Sequence, residues 1–365
     1  MEHTNTYTLY GDIVTGGCII ENGAVAVRDG RILYVGPREH APIIGPVQDW
    51  TGAYLLPGFI DIHCHAGGEI WCHEDPRAVA AYHLQHGTTG LCCTFYRDLG
   101  MDGILAAQEK VKAAMMEDTP SILGVHLEGP YLNPRYGSKP SEKPIAAVRE
   151  EYMPLLETGI VRHVTFAPEV DGTEDFLADL LRLGIVGSIG HSAASYEKVR
   201  RAAEGGARCV THLYDATGAS IAPARWDGTI EADFNAAALL CDDLFYEIIC
   251  DSMGVHVRRE ILQLTKKLVG PARIIGITDA CGGPGGSGDV NFEDGELMGS
   301  KLTMDKVAKN FYAAGFSIPE IAMVTAGNAA RLLGIYQDRG SIDIGKRADI
   351  VALAKDFTVQ CVYMA

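Results

Sequence analysis

The sequence is short of basic residues and contains no cluster of them. Lysine and arginine together number 31 against 47 aspartates and glutamates, which gives a formal net charge of -16. A chain with this charge repels a phosphate backbone at long range, so we do not expect nucleic acid as a partner. The sequence also lacks any run of about 18 apolar residues, so we expect no membrane span.

Signals for export are equally scarce. Residues 1–15 are mostly polar and lack the basic-then-apolar layout of a secretory signal. The ten cysteines are scattered through apolar runs such as residues 91–94, where free thiols pack as small hydrophobic groups. We therefore expect a cytoplasmic, globular protein with reduced cysteines.

The chain does contain a repeated alternation of short apolar runs with helix-patterned stretches, which is typical of βα units. The eight apolar runs are residues 58–62, 88–95, 122–125, 161–167, 185–189, 208–211, 245–250 and 273–278. Helix signals lie between them, such as Asp75 before Pro76, or a glycine pair at 205–206 that ends a helix starting near Tyr196. The pattern predicts an α/β fold, a (β/α)₈ TIM-type barrel over residues 57–334.

The two ends of the chain show a different pattern. Residues 7–35 alternate apolar and polar side chains around turn signals at 21–23 and 28–31, and residues 340–363 are similar. Chain termini often lie close in space. We therefore predict that residues 1–56 and 335–365 form one small β-sandwich domain, with the barrel inserted between them.

Histidines and carboxylates follow the apolar runs, at the strand ends where barrel enzymes carry their catalytic groups. The first run ends in His63 and His65, and because strand residues i and i+2 point to the same side, both imidazoles can reach one cation. The other residues of this kind are Glu128, His191, His212 and Asp279, after the third, fifth, sixth and eighth runs. Divalent metals such as Zn²⁺ take these ligands, and a metal site with an open position lowers the pKa of water to about 7. The pattern therefore predicts a hydrolytic metal centre.

Each of these residues also has a simpler interpretation. A His-x-His pair can be two hydrogen-bonded core histidines, residues 128–130 can be a turn, and Asp279 can cap a following helix. Independent accidents would rarely place all of them at the ends of separately predicted strands. The coincidence favours the metal site.

Residues 56–65 and 345–351 resemble the amidohydrolase superfamily. Within it, further segments resemble the N-acetylglucosamine-6-phosphate deacetylase family: residues 126–134, 167–169, 190–192, 211–214 and 299–305. The resemblance covers nearly the whole chain. It implies removal of an acetyl group from an N-acetylated amino sugar, N-acetylglucosamine-6-phosphate or a close relative, by a homodimer.

The resemblance also implies how the metal is held. Glu128, His191 and His212 would bind the principal ion, while His63 and His65 would bind a second one bridged by Glu128. Some members of the family lack a complete His-x-His and use one metal. We therefore expect one or two divalent ions, with Zn²⁺ as the first choice and Fe²⁺ or Mn²⁺ as alternatives.

The implied catalytic and substrate-binding residues follow the same resemblance. Asp279 would be the general base, and His256 would lie near the substrate carbonyl and polarise the amide. Asp215 and Ala216 stand where the family has Asn-Ala against the sugar phosphate, and a carboxylate there repels phosphate. Arg225 is the nearest counterpart of the arginine that the family contributes across the dimer interface. These departures concern the substrate and leave the reaction unchanged.

Two other functions stay open. A deaminase, or a hydrolase of a different N-acyl or cyclic amide, would use the same kind of metal and aspartate, although Glu128 stands where some such enzymes carry a lysine. A non-catalytic relative would keep the barrel as a scaffold for assembly. Such a protein would be expected to lose ligands or the aspartate, and all six residues are present.

Overall fold

The computed structural model of the chain describes residues 5–117, 119, 121–137, 145–218, 226, 229, 232–283, 288–293 and 295–365. Its strands are β1 (Tyr7–Val14), β2 (Ile19–Arg28), β3 (Arg31–Pro37), β4 (Val47–Pro57), β5 (Phe59–Cys64), β6 (Ala66–Gly67), β7 (Ile70–Trp71), β8 (Thr88–Tyr96), β9 (Ile122–Glu128), β10 (Val161–Phe166), β11 (Val186–Ile189), β12 (Cys209–Val210), β13 (Phe245–Ile249), β14 (Ile274–Ile277), β15 (Val290–Glu293), β16 (Glu296–Ser300), β17 (Ile350–Leu353) and β18 (Val359–Tyr363). Its helices are α1 (Pro76–Gln85), α2 (Gly100–Met116), α3 (Arg149–Leu156), α4 (Thr173–Arg182), α5 (Tyr196–Glu204), α6 (Phe234–Leu239), α7 (Arg259–Val269), α8 (Met304–Ala313), α9 (Ile318–Ala322) and α10 (Asn328–Leu332).

The middle of the chain forms the predicted (β/α)₈ barrel. Its parallel strands neighbour one another in the order β14-β13-β12-β11-β10-β9-β8-β5. The two outer strands meet where the N–H of Asp279 donates to the carbonyl of His63 at 2.9 Å and the Thr278 hydroxyl donates to Asp61 at 2.6 Å. Helices α1 to α8 follow the eight strands one by one. All eight predicted apolar runs are therefore barrel strands.

The barrel strands are apolar because both of their faces are covered, by side chains inside the barrel and by helices outside it. The predicted helix signals are confirmed. Asp75 precedes α1 and its carboxylate accepts hydrogen bonds from the backbone N–H of Arg77 and Ala78, with Pro76 in the first turn. Helix α5 begins at Tyr196 and ends before Gly205. None of the helices in the described ranges has the length and apolar character needed to cross a membrane.

The two chain ends share a separate six-stranded sheet, in the order β18-β17-β4-β1-β2-β3. Strand β17 lies between β4 and β18, antiparallel to both. The sheet has its own core cluster, which includes Leu9, Val25, Leu55 and Ile350. The predicted β domain built from both ends is thus present, and its limits at residues 1–56 and 335–365 stay a prediction.

The turn predicted at residues 21–23 is wrong, because β2 runs through them. The chain reverses earlier, where the N–H of Thr15 donates to the carbonyl of Cys18 at 3.0 Å. Asn22 instead has a φ of 47° and lies where the pairing of β1 with β2 shifts its register. Asparagine tolerates this left-handed conformation, so the residue that signals a turn serves a β-bulge here.

Candidate active site

The six residues predicted at strand ends meet at the carboxyl end of the barrel. His63 lies in β5 and His65 directly follows this strand, while Glu128 ends β9. His191, His212 and Asp279 follow β11, β12 and β14 within two residues. All six side chains are buried. The closed barrel therefore brings together residues that lie up to 216 positions apart.

Glu128 lies at the centre of this group and contacts all four histidines. Its Oε1 is 2.8 Å from Nε2 of His191, 3.0 Å from Nε2 of His212 and 3.4 Å from Nε2 of His63. Its Oε2 is 3.1 Å from Nε2 of His65. Each histidine thus presents the same ring nitrogen to one carboxylate.

Asp279 contacts the same group from the last barrel strand. Its Oδ1 is 3.4 Å from Nε2 of His63 and 3.3 Å from Nε2 of His65. The side chains of His63, His65 and Asp279 could together hold a metal ion, and so could those of His63, Glu128 and His212. The two sets share His63, so they describe overlapping positions for a metal ion.

The hydrogen bonds of two histidines show that the group suits a cation. Nδ1 of His191 bonds to the carbonyl of Tyr136, and Nδ1 of His212 to the carbonyl of Asp215 at 3.2 Å. A carbonyl only accepts, so both Nδ1 atoms carry protons. In the neutral rings the two Nε2 atoms are then bare acceptors, and they lie 3.0 Å apart and face a carboxylate. Such a set of acceptors requires positive charge between its members.

Other observations agree with this requirement. Nε2 of His63 is buried without a hydrogen-bond partner among the described residues. Burial alone would lower the pKa of His212 and of His65, but contacts with Glu128, and with Asp279 in the case of His65, raise each pKa to about 9. The carboxylates thus favour a cation at the position of the ring nitrogens, and a divalent metal with nitrogen and oxygen ligands fits.

A third buried carboxylate, Glu247, contacts the group from inside the barrel and was missed in the sequence. It lies in β13, and its Oε2 is 3.1 Å from Nδ1 of His63, while its Oε1 is 3.4 Å from Nε2 of His163. Burial alone would raise the pKa of Glu247, but these histidines lower it to about 2. A lone glutamate within an apolar barrel run was the signal in the sequence, because only a partner inside the barrel justifies burying it.

Three of the six residues have a backbone conformation that is rare outside glycine. The φ angles are 47° at His191, 27° at His212 and 47° at Asp279. Positions of this kind cost about 1–3 kcal/mol each and gather at functional sites. The turn of the chain immediately after each strand is what aims these side chains back over the barrel mouth.

The segment at residues 299–305, whose role was not evident in the sequence, supports Asp279. The N–H of Ser300 donates to the carbonyl of Asp279 at 2.8 Å, and the Ser300 hydroxyl donates to the carbonyl of Thr278 at 2.5 Å. Gly299 has a φ of 54°, and a Cβ on it would lie 2.4 Å from the carbonyl oxygen of Asp279. Glycine is therefore required for this close approach.

The predicted substrate-binding residues lie in different places. Asp215 and Ala216 line a cavity of about 600 Å³ that opens above the predicted metal ligands, called the metal-type ligands below. His256 is buried, with Nδ1 3.0 Å from Asp251 and Nε2 3.1 Å from the carbonyl of Gly299, so both of its nitrogens have protein partners. Arg225 lies outside the described residues.

The cavity reaches from the metal-type ligands to the protein surface. Its walls also include Trp71, Asp98, Leu99, Arg135, Tyr136, Glu296 and Met298. Trp71 belongs to the β6–β7 hairpin and contacts His65 edge-on, with ring centroids 6.5 Å apart. A volume of this size suits one small polar molecule and its acyl group.

The fold and the ligand group have a counterpart among known families. The model of the amidohydrolase family matches residues 54–365. The chain therefore belongs to the amidohydrolase family and is a hydrolase of carbon–nitrogen bonds.

Individual relatives narrow this assignment. The N-acetylglucosamine-6-phosphate deacetylase of Bacillus subtilis (strain 168) is 32% identical over 95% of this chain and 92% of its own. The N-acetylgalactosamine-6-phosphate deacetylase of Shewanella sp. (strain ANA-3) is 29% identical over 97% and 93%. A crystal structure of N-acetylglucosamine-6-phosphate deacetylase from Pasteurella multocida superposes with a TM-score of 0.86 at 27% identity, over 98% of both chains. Within the amidohydrolases, the chain belongs with the N-acetylglucosamine-6-phosphate deacetylases.

Proposed function

We propose that this chain removes the acetyl group from N-acetylglucosamine-6-phosphate, or from its galactosamine isomer, by metal-assisted hydrolysis of the amide bond. The observation that carries the proposal is the contact of Glu128 with all four histidines beside Asp279, at the base of a cavity open to solvent. The names of the relatives support the substrate class. They include deacetylases of both sugars, so the configuration of the sugar is part of the test.

The metal would be held by His63, His65, Glu128, His191 and His212. We propose one or two divalent ions, with Zn²⁺ as the first choice and Fe²⁺ or Mn²⁺ as alternatives. A metal bound there supplies Lewis acidity toward the amide oxygen and makes water more acidic. A homodimer and a cytoplasmic location belong to the same proposal.

Asp279 would move the proton in this reaction. Burial alone would raise its pKa, but the contacts with His63 and His65 hold the pKa well below its usual range. The carboxylate is therefore ionised at neutral pH and can take a proton from the attacking water. It would then return that proton to the leaving nitrogen, so that acetate and a free amine depart. The hydrogen bonds from Ser300 keep the aspartate in place for both transfers.

The test is acetate release by metal-replete protein from four sugars: N-acetylglucosamine-6-phosphate, N-acetylgalactosamine-6-phosphate and their unphosphorylated forms. Asp279→Asn should reduce turnover by about 10³-fold or more, because a proton acceptor is lost while the metal ligands stay. Asp242→Asn, the same change at a fully exposed carboxylate, should leave turnover unaltered. Metal content is measured in all three proteins.

Release from a phosphorylated sugar that disappears in Asp279→Asn, with metal still bound, would support the proposal. No release from any of the four sugars by protein that contains metal would overturn it. The search would then turn to other N-acyl compounds and to cyclic amides.

A further inference from the structure

Among the described residues that line the cavity, Arg135 is the one whose side chain is always positively charged. Its side chain is exposed and has no acidic partner in the described part of the chain. In contrast, the arginines that form ion pairs lie mostly on the outer surface. Arg200, for example, pairs with Glu204 on α5. An unpaired guanidinium at a cavity mouth offers planar donors to an anionic group of a ligand.

The backbone of Arg135 is tied to a metal-type ligand. The residue lies in a short 3₁₀ turn (Pro134–Tyr136) that begins after Asn133, whose side chain accepts from the N–H of Arg135 at 3.1 Å. The N–H of Asn133 donates to the carbonyl of His191 at 2.9 Å, and the carbonyl of Tyr136 accepts from Nδ1 of His191. The turn is thus bonded to His191 on both sides.

Glu169, in the turn that follows β10, secures the same 3₁₀ turn. Its Oε1 accepts from the side-chain amide of Asn133 at 2.9 Å, and its Oε2 accepts from the hydroxyl of Ser192 at 2.6 Å. Glu169 therefore joins the turn that carries Arg135 to the residue after His191. These hydrogen bonds fix the backbone of Arg135 relative to His191, beside which the amide would react. Such an arrangement suits a substrate that is held at two points.

The remaining charges of the cavity wall oppose an anion. Asp98, Asp215 and Glu296 line the cavity beyond the metal-type ligands. A phosphate entering the cavity is repelled by these carboxylates, so its binding depends on a local cation. Among the described lining residues, Arg135 can meet this need.

We infer that Arg135 binds the phosphate group of the substrate and so sets the preference for a phosphorylated sugar, with Asp215 acting against it. The inference rests on the proposed function and assigns a specificity residue within it. The phosphate would sit at the cavity mouth while the amide reaches His191 and Glu128 at its base.

The experiment compares kcat/KM for N-acetylglucosamine-6-phosphate and for N-acetylglucosamine in the wild type, Arg135→Ala, Arg135→Lys and Asp215→Asn. Arg135→Ala should lower kcat/KM for the phosphorylated sugar by about 10- to 100-fold, mainly through KM, and change that for the other sugar by less than about threefold. Arg135→Lys should fall between, because lysine keeps the charge but loses the planar donors. Asp215→Asn should raise kcat/KM for the phosphorylated sugar. Arg200→Ala is the matched control and should change neither value.

Inorganic phosphate provides a second measurement that does not depend on the sugar. It should inhibit the wild type competitively, and Arg135→Ala should weaken this inhibition about tenfold. An equal fall for both sugars in Arg135→Ala, or an unchanged ratio between them, would overturn the role of Arg135 while the deacetylase function stands. A wild type that hydrolyses neither of these sugars, nor the two galactosamine sugars, would overturn the proposed function itself.

Discussion

Replacing Glu247 by glutamine should weaken metal binding while the barrel stays folded. The Glu247 carboxylate accepts the Nδ1 proton of His63, which leaves Nε2 of His63 bare and facing Glu128. Glutamine has nearly the same shape and its carbonyl can still accept this bond, but it carries no charge. It also presents an amide N–H₂ toward His163, whose Nε2 lies 3.4 Å from the carboxylate. The change therefore removes charge and leaves the packing of β13 largely intact.

The size of the effect follows from the difference between a charged and a neutral hydrogen bond. A bond to a charged group contributes about 1.5–3 kcal/mol and a neutral one about 0.5–1.5 kcal/mol. The difference of about 1–1.5 kcal/mol corresponds to a roughly 5- to 15-fold weaker metal affinity. Losses of about 10- to 100-fold are usual when a ligand histidine loses its carboxylate partner. We therefore expect the Kd for Zn²⁺ to rise about tenfold.

Competition with a coloured chelator measures this Kd in the wild type and in Glu247→Gln. The control is Glu260→Gln, the same replacement on the exposed side of α7. Thermal unfolding of the metal-free proteins shows whether the fold has been kept. An unchanged Kd in a folded Glu247→Gln protein would refute the idea that the Glu247 charge prepares His63 for the metal.

Three further outcomes are expected. Complete removal of metal by a strong chelator should abolish acetate release and added Zn²⁺, Mn²⁺ or Fe²⁺ should restore it, and activity that survives removal would contradict a metal-dependent mechanism. Gly299→Ala should lower both Tm and kcat because its Cβ would meet the carbonyl of Asp279, whereas Gly295→Ala, also at positive φ but with open space around it, should affect kcat far less. Burial alone would raise the pKa of Asp251, but hydrogen bonds from His256 lower it to about 2. Asp251 therefore stabilises the fold above pH 4, and in urea titrations this advantage of the wild type over Asp251→Asn should shrink as the pH falls from about 4 toward 2.

The barrel could be predicted from the sequence because buried parallel strands leave a strong local signal. Runs of apolar residues marked all eight strands, helix signals lay between some of them, and the residues after them included the predicted metal ligands. The turn at residues 21–23 could not be assigned in this way. An asparagine at positive φ serves a hairpin and a bulge equally well, and only the pairing of β1 with β2 decides between them.

Contacts between distant strands account for what the sequence did not reveal. Glu247 supports His63 from β13, which β14 separates from the strand of His63 in the closed barrel, and its role depends on which side chain faces it. The link from Asn133 through Glu169 to Ser192 joins three loops, so no spacing within one loop indicates it. His256 was expected beside the substrate, but the carbonyl of Gly299 occupies its Nε2 in this structure. Its placement against substrate stays a prediction.

The position of β17 between β4 and β18 has a consequence for the order in which the protein is made. Strand β4 leaves the ribosome early, but its partner β17 follows only after about 290 further residues, a delay of roughly 15–60 s at usual rates of synthesis. During this time one edge of β4 is open to other chains. The N-terminal strands must therefore wait for the whole barrel to be synthesised, and protection of this edge by chaperones would matter most in that interval.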